Sequence, residues 1–164
     1  MASEHTMDVV VKFDFQELKN AVEQAKKEAT NRFDLKNSDI KIDLSDDEVK
    51  ITAPSSIQVE SVFGILTNKM TSRGLSSLIL DRQDMADIGG MRVKMEMKLV
   101  KALDQENAKK ISKMIKDQFA KVKPSIQGDT VRVSSKSIND LQEVMAMLKN
   151  DETINMPLDF VNFK

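Results

Sequence analysis

The sequence predicts an α+β protein in which a β-α-β-β-α-β order of segments occurs twice. Segments that alternate apolar and polar residues at period two follow segments with apolar residues at helical spacing. The two copies also keep their hydrophobic positions in register. A shift of 82 positions carries Val49, Ile51, Val59, Val62, Phe63, Ile65 and Leu66 onto Val131, Val133, Leu141, Val144, Met145, Met147 and Leu148. Such internal similarity predicts a tandem duplicated ferredoxin-like (βαββαβ) sandwich.

The elements of the first copy follow from local patterns. Asp14 is suited to cap a helix, and the apolar residues after it recur every three or four positions along one stripe. Gly74 is suited to end the second helix. The predicted elements are strand 8–14, helix 15–33, hairpin strands 40–44 and 49–53, a helix that begins after Pro54, and strand 75–80.

The second copy repeats this order after a break. Residues 82–90, RQDMADIGG, contain two glycines and no periodicity, and they predict a connector. We therefore expect a first unit over residues 1–81, this connector, and a second unit over 91–164. The predicted elements of the second unit are strand 91–98, helix 104–119, hairpin strands 122–126 and 130–134, helix 138–148 and strand 158–163.

Composition restricts the classes of function. The net charge of −1 at pH 7 argues against a dedicated nucleic-acid binder, which is usually basic. The absence of cysteine excludes disulfides and thiolate chemistry, and it fits a reducing, cytoplasmic location. No apolar run is long enough to predict a membrane span. Residues 1–7 read as a loose leader without the pattern of a signal peptide.

No catalytic or metal-binding constellation is visible in the sequence. His5 is the only histidine, and neither a phosphate-binding loop nor a nucleophile elbow occurs. The acidic run from Asp46 to Glu48 is typical of a solvated turn. We therefore predict a binding protein rather than an enzyme, with no cofactor and no metal.

Basic residues are the strongest candidates for binding. Lys109, Lys113 and Lys116 share one face of the predicted helix 104–119, with Lys110 beside them. Such a row is typical of an anion-binding helix and equally of an ordinary solvated face. A second basic set occupies outward strand positions without an aromatic residue, which disfavours base stacking there but leaves phosphate contact open. Its members are Lys41, Lys50, Arg92, Lys94, Lys98 and Arg132.

Several stretches resemble the YajQ family of bacterial nucleotide-binding proteins. The strongest is DQENAKKISKMIKDQFAKVKPSIQGDTVRV, from Asp104 to Val133. Weaker matches are LKNAVEQAKKEATNRFDLKNS, SRG, DLQEVMAML and the ending LDFVNFK, so that the resemblance covers nearly the whole chain. It implies two ferredoxin-like domains with a strand exchanged between them. It also implies a non-catalytic protein for which cyclic di-GMP, other nucleotides and RNA are candidate ligands.

Positions that match the family's motifs supply most of the candidate ligand-binding residues. They are Arg32, Lys36, Arg73, Lys109, Lys110, Lys116, Gln127, Asp129 and Arg132, to which the lysine row adds Lys113. Lys136 is also a candidate, although SSKSIN stands around it where the family has a glycine and a basic cluster.

Two functions follow as hypotheses. The first is a regulator or adaptor that binds a nucleotide or cyclic dinucleotide, or RNA, through Arg and Lys at the seam between the two units. The alternative is a protein–protein interaction module that has lost nucleotide binding. The near-neutral charge and the missing cations favour the alternative, and the basic helix favours the first.

Overall fold

Nine strands and four α-helices make up the described part of the chain, which covers residues 4–32 and 39–164 of a computed structural model. In chain order they are β1 (His5–Val11), α1 (Phe15–Asn31), β2 (Lys41–Leu44), β3 (Glu48–Ala53), α2 (Ser56–Ser72), a 3₁₀ turn (Ser77–Ile79), β4 (Leu80–Arg82), β5 (Ala86–Gly89), β6 (Arg92–Leu99), α3 (Gln105–Gln118), β7 (Lys123–Gln127), β8 (Thr130–Ser135), α4 (Ile138–Asn150) and β9 (Leu158–Val161). The predicted α+β class is confirmed.

Contacts divide the chain into two units that do not follow chain order. Phe13–Val100 form one unit, which we call the continuous unit. The residues up to Lys12 join Lys101–Lys164 in the other, which we call the discontinuous unit. The boundaries at residues 81 and 91 describe the sequence repeat, and as domain limits they stay a prediction.

The continuous unit packs α1 and α2 on an antiparallel sheet. Its strand order is β2-β3-β6-β4, and β5 pairs with the first half of β6 on the same edge as β4. Val49 faces Met97 and Ile51 faces Met95, and all four side chains are fully buried. They alternate with charged residues along β3 and β6, because successive side chains of a strand point to opposite faces.

The discontinuous unit packs α3 and α4 on a second antiparallel sheet, of order β7-β8-β1-β9. Met7 faces Val133 and Val9 faces Val131, again fully buried pairs on the helix side. Strands β3 and β8, residues 48–53 and 130–135, are related residue for residue by the shift of 82 positions that the sequence repeat uses.

In each sheet the third strand in the order comes from a different part of the chain than its neighbours do. β1 precedes α1 of the continuous unit, yet it pairs with β8 and β9. β6 precedes α3 of the discontinuous unit, yet it pairs with β3 and β4. The leading strand of each βαββαβ copy thus lies in the sheet of the other copy, which is the exchanged arrangement of the predicted fold.

Three local predictions differ from the structure. β1 begins at His5 inside the predicted leader, because Thr6 and Lys164 exchange backbone hydrogen bonds. The predicted connector contains β5, whose pattern is hidden because three of its four residues are exposed. Only the end of the predicted strand 75–80 is strand, because Ser76 caps a 3₁₀ turn by accepting from the backbone N–H of Leu78.

The exchange makes a prediction about fragments. A fragment of residues 13–100 contains every strand of its sheet and should unfold cooperatively when heated, as followed by circular dichroism. A fragment of residues 13–90 lacks β6 and leaves the edges of β3 and β4 unpaired, so it should show no cooperative transition. Equal melting of the two fragments would contradict the pairing of β6 with β3 and β4.

Candidate functional site

The arginines predicted in the continuous unit have structural partners. Arg73 donates from Nη1 to Oε2 of Glu17 at 3.0 Å and from Nε to Oε1 of Gln24 at 3.3 Å, which joins the end of α2 to α1. Arg32 is the C-cap of α1, and its backbone N–H donates to the carbonyl of Glu28 at 2.9 Å. Lys36 lies outside the described residues. Any role of these three residues in binding stays a prediction.

Outward cations of the continuous unit are compensated by acids. Across β3 and β6, Glu48 faces Lys98 and Lys50 faces Glu96. Lys94 lies 2.9 Å from a carboxylate oxygen of Glu96, and its hydrogen bond lowers the pKa of that carboxyl. Opposite charges on facing positions favour the sheet. This face therefore carries a mixed pattern of charge and not a cationic surface.

The lysine row of α3 is where the sequence predicts it. Asp104 caps the helix by accepting from the backbone N–H of Asn107 at 2.7 Å. The buried side of the helix is formed by Ala108, Ile111 and Ile115 at 0% exposure. Three lysines, Lys109, Lys113 and Lys116, lie on the exposed side.

Lys110 differs from that row. Its ammonium group donates to the carbonyl oxygen of Thr153 at 2.7 Å and so ties α3 to the loop after α4. Asp151 organises the same loop by accepting from both the hydroxyl and the backbone N–H of Thr153. These hydrogen bonds lower the pKa of Asp151, with a smaller effect from the charge of Lys110.

The predicted site residues of the β7–β8 hairpin lie at the start of β8, at the opposite end of that strand from Lys136. Gln127 and Asp129 flank Gly128, which has a φ of +62° and so requires the conformational freedom of glycine. The amide of Gln105 donates to the carbonyl of Gly128 at 2.7 Å, which places the turn beside the start of α3. Six residues of strand separate this turn from Lys136, a distance of about 20 Å.

Arg132 lies on the outward face of its sheet and is tied to a buried carboxylate. Its Nε donates to Oδ1 of Asp8 at 3.0 Å, and the amide of Asn162 donates to Oδ2 at 2.8 Å. The Asp8 side chain is only 6% exposed. The hydrogen bond from Arg132, helped by Asn162, lowers the pKa of Asp8 against the effect of burial. The cluster holds β8, β1 and the chain end together.

A groove of about 650 Å³ lies at the end of the sheet where β7 begins and β8 ends. We call it the cationic groove, because three lysines line it. Antiparallel pairing sets Lys123 beside Ser134, so the turn residue Lys121 and the post-strand residue Lys136 meet there. The complete lining is Glu4, Lys121, Lys123, Ser135, Lys136, Ser137 and Asp140.

The polar groups of the cationic groove suit a phosphate. No side-chain partner within residues 4–32 and 39–164 engages the ammonium groups of Lys121, Lys123 or Lys136. Ser137 caps α4 by accepting from the backbone N–H of Asp140 at 3.3 Å. Both residues line the groove, so the positive end of the α4 dipole lies beside it. The carboxylates of Glu4 and Asp140 oppose an anion and moderate its affinity.

A second groove, of about 300 Å³, runs along α4. We call it the apolar groove, because aliphatic and aromatic side chains form most of its surface. Its lining is His5, Thr6, Ile138, Leu141, Gln142, Met145, Phe163 and Lys164. Ile138 and Phe163 are 52% and 58% exposed, which is high for side chains of this size.

A bulge after β9 presents Phe163 to the apolar groove. Asp8 faces Val161, and Thr6 and Lys164 exchange backbone hydrogen bonds of 3.3 and 3.0 Å. Asn162 and Phe163 therefore oppose one residue of β1, and Asn162 has a φ of +56°, which asparagine tolerates. An extra residue turns the following side chain to the other face of the sheet.

Comparison with known proteins identifies the family of this chain. The model of the family described as nucleotide-binding protein YajQ-like matches residues 5–164. The chain belongs to the YajQ-like family. It is 46% identical to a protein of Trichodesmium erythraeum named nucleotide-binding protein, 43% identical to one of a Sulfurovum species and 44% identical to one of a Synechococcus species, both with the same name. Each alignment covers 100% of both chains.

Two further searches of this YajQ-like chain gave negative results within the described residues. No helix in residues 4–32 and 39–164 is long and apolar enough to cross a bilayer. Within the same ranges, His, Asp and Glu side chains form no group of three that could hold a metal ion.

The structure of this YajQ-like protein brings few of the predicted residues together. Lys136 lines the cationic groove, and none of the other predicted site residues that the structure describes lines either groove. Sequence reasoning missed Lys121, Lys123 and Phe163. The strand order of the predicted fold could have identified the two lysines, because it places the start of β7 beside the end of β8. No local signal indicates the bulge that exposes Phe163.

Replacing Asp8 by asparagine tests the buried cluster. A carboxyl whose pKa is lowered by folding stabilises the protein above its ordinary pKa of about 3.9, and this contribution is lost as the pH falls through the folded pKa. We expect Asp8→Asn to cost about 1–3 kcal/mol of unfolding free energy at pH 7. The cost should shrink towards pH 2 in urea titrations.

Asp84→Asn is the matched control, because Asp84 is an exposed residue of the same type. It should leave the pH profile of stability unchanged. A constant difference between Asp8→Asn and the parent from pH 7 to pH 2 would exclude the cluster as a source of pH-dependent stability.

Proposed function

We propose that this protein binds a nucleotide ligand without converting it, and acts as a regulator or adaptor in the cytoplasm. The observation that carries the proposal is the cationic groove beside the first turn of α4, whose three lysines have no side-chain partner within residues 4–32 and 39–164. Membership of a family described as nucleotide-binding supports a nucleotide as the source of the anion. Cyclic di-GMP and other purine nucleotides are the ligands that we expect, and RNA is an alternative ligand.

The groove supports recognition of phosphate by charge and by hydrogen bonding. Ammonium groups act as point charges on phosphate oxygens, and charge-assisted hydrogen bonds are stronger than neutral ones. The hydroxyl of Ser137 and the amides of α4 add donors of fixed direction. A phosphate bound here replaces water around the three lysines without first breaking an ion pair to any side chain that the structure describes.

Shape favours a small nucleotide over RNA at this place. Small ligands bind in concave sites of about 300–1,000 Å³, and the cationic groove falls within that range. The lysine row of α3 is exposed and lines neither groove, so it is the candidate contact for the phosphates of a longer strand. The two ligand classes therefore predict different sets of sensitive lysines.

A pair of double variants separates the two classes. We expect Lys121→Glu/Lys136→Glu to weaken binding of cyclic di-GMP, GTP or ATP by about 10-fold or more. Lys113→Glu/Lys116→Glu should leave that binding nearly unchanged. The measurement is isothermal titration calorimetry of the full chain at physiological salt, with a short RNA as a fourth titrant.

Lys27→Glu supplies the control for charge alone, because Lys27 is an exposed helical lysine of the continuous unit. It should bind as the parent does. If RNA is the only titrant that binds, and if Lys113→Glu/Lys116→Glu alone abolishes that binding, the assignment of the ligand site to the cationic groove is overturned. Absence of heat with all four titrants would overturn nucleotide binding itself.

One surface favours the alternative, a protein-interaction module. The β5–β6 hairpin exposes Ile88 and Met91 at 48% and 87%. Met91 has a φ of +56°, an unfavourable conformation for a side chain of its type. A partner captured through this hairpin should stay bound in high salt and be lost from Ile88→Ser/Met91→Ser, whereas binding through phosphates weakens steeply with salt.

A further inference from the structure

We propose that the apolar groove is the base-binding half of a two-part site, so that the ligand is a purine nucleotide with a 5′-phosphate. The phosphate lies in the cationic groove, the base lies against Phe163 and Ile138, and one ribose bridges them. This inference rests on the proposed function and adds to it a subsite that binds the uncharged base by apolar contact and stacking.

The two grooves adjoin each other at one end of the discontinuous unit. Ser137 lines the cationic groove, and the next residue, Ile138, lines the apolar one. His5 of the apolar groove faces Ser135 of the cationic groove across β1 and β8. Neighbouring residues on a chain or across a strand pair lie about 4–6 Å apart. A single ribose spans that separation.

Phe163 is an aromatic side chain that a base can reach. The sequence has no Trp or Tyr and seven Phe residues. Within the described residues, Phe163 alone among these is classed as exposed. Three others already lie beneath cations, at 4.5 Å for Arg82 over Phe63, 5.4 Å for Lys149 over Phe160 and 5.5 Å for Lys19 over Phe15.

Stacking accounts for the exposed ring. An apolar ring that is 58% exposed beside the exposed Ile138 gains by covering both with the face of a base. Base–aromatic stacking contributes to affinity with any base. Gln142 lies on the same groove and offers a donor and an acceptor to the edge of the base.

The two halves of the site predict separable effects. The probes are GMP, which has a base, and ribose 5-phosphate, which does not. We expect GMP to bind the parent more tightly than ribose 5-phosphate does. Phe163→Ala should weaken GMP by about 5- to 100-fold and leave ribose 5-phosphate unchanged. Phe163→Leu should fall between Phe163→Ala and the parent, because it keeps apolar area without the ring.

Binding is measured by calorimetry on the full chain, with circular dichroism to verify folding of each variant. Stacking is read independently from loss of absorption in the purine band, which the chain barely obscures because it lacks Trp and Tyr. Ile57→Ala serves as the control, because Ile57 is 78% exposed on α2 of the continuous unit. It should bind both probes as the parent does.

Failure of the subsite is distinguishable from failure of the proposed function. Loss of GMP binding in Lys136→Glu together with parental binding in Phe163→Ala would overturn the base subsite and leave the phosphate site standing. Equal affinity of the parent for GMP and ribose 5-phosphate would do the same. Binding of neither probe to the parent would overturn the small-nucleotide site and the subsite with it.

Discussion

The pairing of β1 with both β8 and β9 is the constraint on which the candidate site depends. β1 supplies Met7 and Val9 to the core of the discontinuous unit, and its first residues reach the end of β8. Glu4 then lines the cationic groove, and His5 and Thr6 line the apolar groove. Without this strand, β8 has a free edge and both grooves lose one wall.

The outward side of that pairing is held by a buried charge. Asp8 of β1 accepts from Arg132 of β8 and from Asn162 after β9. One carboxylate therefore joins β1 to the segments on both sides of it. A buried carboxylate is tolerated only when such donors satisfy it. Because Asn162 is also the bulge residue, the same cluster fixes the turn that presents Phe163. The candidate base subsite therefore depends on a charged group on the opposite face of the sheet.

The sequence predicts the elements well because alternation and helical spacing are local signals. β3 and β8 are found within one residue of their predicted ends, and α3 spans Gln105–Gln118 inside the predicted helix 104–119. Pairing is not local, so no segment by itself reveals which sheet β1 or β6 joins. The bulge at Asn162 is hidden for the same reason, since it exists only relative to β1. Arg132 was placed correctly on the outward face, but its partner Asp8 is 124 positions away.

The net charge of the chain does not predict its anion-binding surfaces, because some cations are paired with acids in a sheet and others are gathered in a groove. In the continuous unit, Lys98 faces Glu48 and Lys50 faces Glu96 across β3 and β6, and these pairs stabilise the sheet. The lysines of the cationic groove come from a turn, a strand start and the residue after a strand. Lys123 faces Ser134 and not an acid, and Glu4 and Asp140 of the same groove leave an excess of one positive charge. A cation that lacks a structural partner keeps its hydration and can exchange it for a phosphate. For the same reason Lys136 is a better candidate for ligand binding than Arg73, since Arg73 must break its ion pair with Glu17 before it can bind an anion.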